Sequence, residues 1–111
     1  MTMLQTLTAL AEPNRLAIVS LLRAGPQPVG EIGARLHLHQ PQVSKHLRVL
    51  RDAGLVEVQA RAQQRLYGLR PAPLQELHAW LEGYRQLWEA RYDALDQVLE
   101  ALQSTPGQDQ S

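Results

Sequence analysis

Apolar side chains along this chain recur at helical spacing in four successive stretches, switch to strict alternation, and return to helical spacing for the last third. Thr2 to Leu10 carries Leu4, Leu7 and Leu10 three residues apart and runs up to Glu12-Pro13. Pro13 suits the first turn of a second helix, where its missing N–H is not needed. Leu16, Val19 or Ser20, and Leu22 or Arg23 then follow at helical spacing until Gly25-Pro26 stops the chain. This second helix is expected at the centre of the core.

Pro28 opens a shorter third helix over Val29 to Leu36, with Val29, Ile32, Gly33 and Leu36 at i, i+3, i+4 and i+7. His37-Leu38-His39 is long enough only for a turn. A fourth helix runs from about Gln40 to Ala53 and ends at Gly54 as a left-handed cap. Two helices joined this closely form a helix-turn-helix. Leu55 to Ala60 and Arg65 to Arg70 alternate apolar and polar residues about Arg61-Ala62-Gln63-Gln64, which predicts a two-stranded hairpin spanning residues 56–70.

From Pro73 to about Leu102 the spacing predicts one long helix. Leu74, Leu81, Trp88, Leu95 and Leu102 fall at intervals of seven; Leu77, Tyr84 and Val98 follow three residues after members of that series, and Arg91 breaks it. A sustained seven-residue repeat is the seam of a helix pairing along its length, so a partner chain is expected there. The fold class is mainly α with a small β-hairpin, in the order α-α-α-α-β-β-α. Residues 1–102 form one domain, and the polar residues 103–111 are expected to be a disordered tail.

Composition narrows the classes. The 111 residues have room for one core. With no cysteine there is no disulfide framework, thiol nucleophile or thiolate metal site. No charged-then-apolar leader opens the chain and no apolar run reaches membrane-spanning length, which predicts a soluble cytoplasmic protein without a membrane partner.

Eleven cationic and eleven anionic side chains give a formal charge of zero. Read by segment, the zero is a cancellation. Residues 35–70 carry seven cations against Asp52 and Glu57, a balance of plus five; residues 71–111 carry Arg85 and Arg91 against seven acids, a balance of minus five. The basic block coincides with the helix-turn-helix and hairpin, where phosphate contacts would be made.

On a wheel at about 100° per residue, Val43, Leu47 and Leu50 share one side of the fourth helix and Lys45 and Arg48 lie opposite, flanked by Ser44 and Arg51. Gln40, Gln42 and Ser44 occupy its first turns, the part of a recognition helix that reaches base edges in the major groove. DNA binding is therefore expected through Gln40, Gln42, Ser44, Lys45 and Arg48, with Arg51, Arg61 and Arg65 holding phosphates. The rival reading is a helical protein-interaction module, in which the acidic last helix binds a protein and the basic helix is a solvated face.

Catalysis has no support: Ser44 and His46 stand two apart on a helix and point in different directions, and no phosphate loop or carboxylate pair is present. Trp80, Tyr84, Trp88 and Tyr92 recur every four residues and could line a pocket for a small-molecule effector, although packing explains them equally well. His78 and Glu82 face each other at i and i+4, too few ligands for zinc. His37 and His39 bracket a solvated turn, and His46 lies beside the core side of its helix. No cofactor is expected.

The run Gln40-Pro-Gln-Val-Ser-Lys-His-Leu-Arg-Val-Leu-Arg-Asp-Ala-Gly-Leu-Val56 resembles the recognition-helix signature of the ArsR-type winged-helix repressors. Leu10-Ala-Glu-Pro-Asn-Arg-Leu-Ala-Ile18 resembles the family's second helix, and Arg65-Leu-Tyr-Gly-Leu-Arg70 its wing strand. The resemblance implies a winged helix-turn-helix that dimerises through its first and last helices, binds a palindromic double-stranded operator and represses transcription. Leu4, Leu7, Leu74, Leu81, Tyr84, Trp88 and Leu95 are the expected interface residues. His39 stands where the family has a capping serine or threonine. The family's cysteine metal site has no counterpart here. Its Asp-x-His…His-x-x-acid site, aligned on His78, meets Glu76 at the acid, Glu89 at the second histidine and Tyr92 at the last ligand, so two of four positions fail. A zinc-responsive repressor would have to use His78 with other ligands.

Overall fold

The computed structural model describes residues 2–103. Six helices and three strands follow one another as α1 (Met3–Leu10), α2 (Pro13–Leu22), β1 (Gln27–Pro28), α3 (Val29–Leu36), α4 (Gln40–Asp52), β2 (Val56–Arg61), β3 (Gln64–Leu69), α5 (Pro71–Glu82) and α6 (Arg85–Gln103). The chain divides into two compact units, residues 1–77 and 78–111. The expected tail begins on Gln103, which closes α6, and its other residues lie outside those described.

In the first unit α1 and α2 are started by side-chain caps. Thr2 and Gln5 form a capping box on α1: the Thr2 hydroxyl accepts from the Gln5 N–H at 3.2 Å and the Gln5 side chain accepts from the Thr2 N–H at 3.0 Å. Glu12 caps α2, its carboxylate accepting from the Arg15 N–H at 2.8 Å, with Pro13 in the first turn. The buried stripe of α2 is Ile18, Val19 and Leu22; Leu16, expected inside, is 52% exposed. Leu16 lies about 160° from Val19's neighbour Ile18 on the wheel, so a helix that buries Ile18 turns Leu16 outward.

Ile18, Ile32, Val43, Leu50 and Leu55, all fully buried, make the centre of the core. Leu74 of α5 packs against it. The helix-turn-helix is held tightly. His37 takes the left-handed conformation (φ 56°) and the Leu38 N–H returns to the Gly33 carbonyl at 3.0 Å. A Cβ on Gly33 would sit 2.8 Å from the Leu38 carbonyl oxygen, so glycine is what lets the turn close. Gly54 (φ 76°) ends α4 as expected: its N–H bonds to Arg51 and that of Leu55 to Leu50, both at 2.9 Å, a Schellman motif whose Leu50 and Leu55 are both buried.

Two expectations about the sheet are corrected. The sheet has three antiparallel strands in the order β1-β3-β2. Gln27 and Pro28 pair with Tyr67 and Leu66, a bridge too short to show a two-residue period and compatible with proline because it lies at the sheet edge. The hairpin turn is tighter than the four residues expected, since Arg61 pairs with Gln64 and only Ala62 and Gln63 connect the strands. Ala62 carries the required positive φ, 53°, without the Asn-Gly pair that usually announces such a turn.

The single helix expected from Pro73 to about Leu102 is two, α5 and α6. At Gly83 and Tyr84 the N–H groups bond three residues back, to Trp80 at 3.2 Å and Leu81 at 2.9 Å, in place of the four-residue ladder. A seam running unbroken from Leu74 to Leu102 on one helix is therefore not present. Trp80 and Tyr84 meet edge to face across this break, centroids 5.2 Å apart.

Candidate nucleic-acid interface

The polar face of α4 begins with an unusual cap. His39 holds the cap position and contributes its N–H, which donates to the Gln42 side chain at 3.0 Å; Gln42 thus fixes the first turn from the third helical position. Pro41 in that turn presets the backbone. Burial of Val43, Leu47 and Leu50 then orients the rest of the helix, and Gln40, Gln42, Ser44, Lys45, Arg48 and Arg51 are all exposed.

The hairpin carries Arg61 and Arg65 at its exposed end, where Arg65 pairs with Ala60 and Arg61 with Gln64. Among the described residues, Lys45, Arg48, Arg51, Arg61 and Arg65 make no ion pair and no side-chain hydrogen bond. Of the other cations, Arg35 bonds Glu31 at 2.8 Å, Arg85 reaches Glu82 and Glu89 at 3.3 and 3.4 Å, and Arg15 donates to the Ala9 carbonyl at 2.6 Å, while Arg23, Arg70 and Arg91 are unpaired among the described residues but scattered elsewhere along the chain. Five unneutralised cations on α4 and the hairpin leave a positive surface for anions.

The other flank of α4 rests on α2 through His46, whose Nδ1 lies 3.6 Å from the Glu12 carboxylate and is buried without a hydrogen-bond partner. The backbone N–H of Arg15 holds the Glu12 carboxyl below the usual carboxylate range. The cap of α2 thereby also contacts the helix that bears the basic face, a link that spacing alone does not reveal.

On the hairpin side, Leu47, Arg48, Arg51, Asp52 and Tyr67 line a polar cleft of about 320 Å³. Spacing does not single out Tyr67 or Asp52: Tyr67 shares a strand face with Arg65 and Leu69, and nothing in that pattern says which helix it faces.

The expected interface residues fall in three groups. Leu4 is 72% exposed on α1 and Leu7 half-buried, while Leu74 is partly buried in its own core. Leu81, Tyr84, Trp88 and Leu95 are exposed, as are Tyr92 and Leu99. On α6, Trp88, Tyr92, Leu95, Leu99 and Leu102 share an arc of about 80°, bordered on one side by Glu89, Asp93, Asp96 and Glu100 and on the other by Arg91 and Val98. His78 lies 3.5 Å from Glu82, which Arg85 also contacts, and no group of three metal-ligating residues occurs among the described residues.

Residues 10–59 match the model of a helix-turn-helix domain family. An HTH-type transcriptional regulator of Mycobacterium tuberculosis is 40% identical over 93 residues, covering 77% of this chain and 87% of its own. A biofilm growth-associated repressor of Agrobacterium fabrum is 43% identical over 57% of this chain and 54% of its own length. Among solved structures, an ArsR-like transcriptional regulator from Rhodococcus sp. RHA1 superposes with a TM-score of 0.68 at 26% identity, covering 86% of this chain and 91% of that one. A homodimeric winged helix-turn-helix DNA-binding domain from Mycobacterium bovis superposes with a TM-score of 0.61 at 25% identity, covering 78% and 81%.

Proposed function

Because the chain belongs to the ArsR-type winged helix-turn-helix regulators, we propose that it acts as a cytoplasmic homodimeric repressor that grips a palindromic operator with one α4 and one wing per half-site. Membership makes it a DNA-binding transcriptional regulator and not an enzyme. Gln40, Gln42, Ser44, Lys45 and Arg48 approach base edges in the major groove, and Arg51, Arg61 and Arg65 hold phosphates. The second copy is engaged through Leu4 and Leu7 on α1 and through the exposed apolar residues of α5 and α6; that the Mycobacterium bovis domain is homodimeric supports a dimer as such.

The observation that carries the reading is the set of five exposed, unpaired cations on α4 and the wing. Glutamine pairs bidentately with adenine and arginine or lysine with guanine, so the first two turns of α4 hold the side-chain types that discriminate bases. The double substitution Lys45→Ala/Arg48→Ala, at exposed positions, is expected to abolish sequence-specific binding in an anisotropy titration with the DNA upstream of its own coding sequence while leaving the circular dichroism unchanged. Undiminished affinity overturns the assignment. A protein-interaction module in place of a repressor would show no sequence-specific, salt-dependent complex at all.

A further inference from the structure

The cleft between α4 and the wing combines three features. Arg48 and Arg51, one helical turn apart, both line it, and neither guanidinium has an acidic partner although Asp52 lines the same cleft. Two cations against one anion leave it positive. Tyr67 enters from β3, where its strand pairs with Gln27 on one side and Val58 on the other and its ring packs against the core. Tyr67 lines the cleft and its side chain makes no hydrogen bond among the described residues, so its hydroxyl is a donor not spent within the protein. At roughly 30 Å³ per water, about 320 Å³ admits a tetrahedral phosphate with several waters.

The position of the cleft decides what anion it meets. A helix in the major groove and a hairpin tip at the flanking minor groove leave one DNA strand between them, and that strand must cross the gap separating α4 from β3. We propose that the cleft seats one backbone phosphodiester of each operator half-site, with Arg51 and Tyr67 donating to its non-bridging oxygens. The proposal rests on the DNA-binding reading above and adds to it a contact that sets register without reading sequence. Arg51 and Tyr67 are accordingly positioning residues for the bases read by the first turns of α4. Asp52 turns away a second phosphate, so the seat takes one.

A duplex selected by the protein from a random-sequence pool provides the test. Single methylphosphonates, which remove one backbone charge each, are scanned through a half-site and titrated against the wild type, Arg51→Ala and Tyr67→Phe. One position is expected to weaken the wild type about tenfold and to leave Arg51→Ala nearly unaffected, the signature of a shared contact. Tyr67→Phe, which keeps the packed ring, is expected to lose roughly five- to tenfold on unmodified DNA equally for cognate and non-cognate sequences. Arg51→Ala is expected to flatten the salt slope by about one per protomer. The inference is overturned if every methylphosphonate effect adds independently to Arg51→Ala, or if inorganic phosphate perturbs the Tyr67 ring resonances while no methylphosphonate position couples to Arg51, which would make the cleft a free-anion site. Selection of no duplex would instead sink the repressor reading, and the seat with it.

Discussion

Leu50→Ala is expected to lower the stability of the first unit by about 3 kcal/mol and its melting temperature by roughly 10–20 °C. Leu50 is fully buried, and its side chain belongs to the same core cluster as four others equally enclosed: Ile18 of α2, Ile32 of α3, Val43 of α4 itself and Leu55 just beyond it. It is also the residue whose carbonyl receives the Leu55 N–H in the motif that ends α4. Truncation removes apolar area and leaves a cavity that the Schellman turn keeps from collapsing, since Gly54 and Leu55 hold the chain direction. Small domains have about 5–15 kcal/mol in total, so the loss is a large share. Thermal and urea unfolding give the measure. A change below about 1 kcal/mol would mean that α4 is not anchored through this side chain, and the orientation of its basic face would need another cause.

That anchoring also explains how far the pattern of residues reaches. Helices α1 to α4 are legible because each has a start or stop whose chemistry is local, Thr2, Glu12, Pro28 and Gly54, although α1 buries Thr6 and Ala9 and not the leucines whose spacing announces it. Where a segment's state depends on a distant neighbour, spacing says little. β1 exists because Leu66 and Tyr67 offer an edge to Gln27 and Pro28. The turn at Ala62 is imposed by the register of the strands it joins, against its own residue preference. The break at Gly83 is a local signal, but a seven-residue repeat running through it suggests continuity that the backbone does not keep.

The basic face is legible for a related reason. Lys45, Arg48 and Arg51 lie on the helix that also shows its core stripe, so a wheel places them; the cleft needs Tyr67, from a strand well beyond α4 in the chain, and no periodicity links the two. The contact of His46 with Glu12 is likewise tertiary. Segmental charge carries more than the total: a neutral chain with a basic α4 and wing and an acidic α6 attracts DNA with one part and repels it with another.

Trp88→Asp/Leu95→Asp is expected to give a monomer whose operator affinity is lower by about 10²–10⁴. Residues 38–64% exposed at Trp88, Tyr92, Leu95, Leu99 and Leu102 share one narrow arc of α6, an apolar stripe too long and too regular to be left to water. The acidic row beside it keeps any mate from sliding around the helix, and makes a second copy of the same acidic helix tolerable only if it meets the apolar arc directly. A dimer presents two α4 helices to one palindrome, and tethering the second binding event to the first contributes about that factor without a new contact. The first unit has its own core, so circular dichroism of the variant should keep the α1–α4 signal while sedimentation reports half the mass. A variant that stays dimeric would show that α6 does not join the protomers, and a monomer that binds the operator as tightly as the parent would show that joining them contributes nothing to affinity.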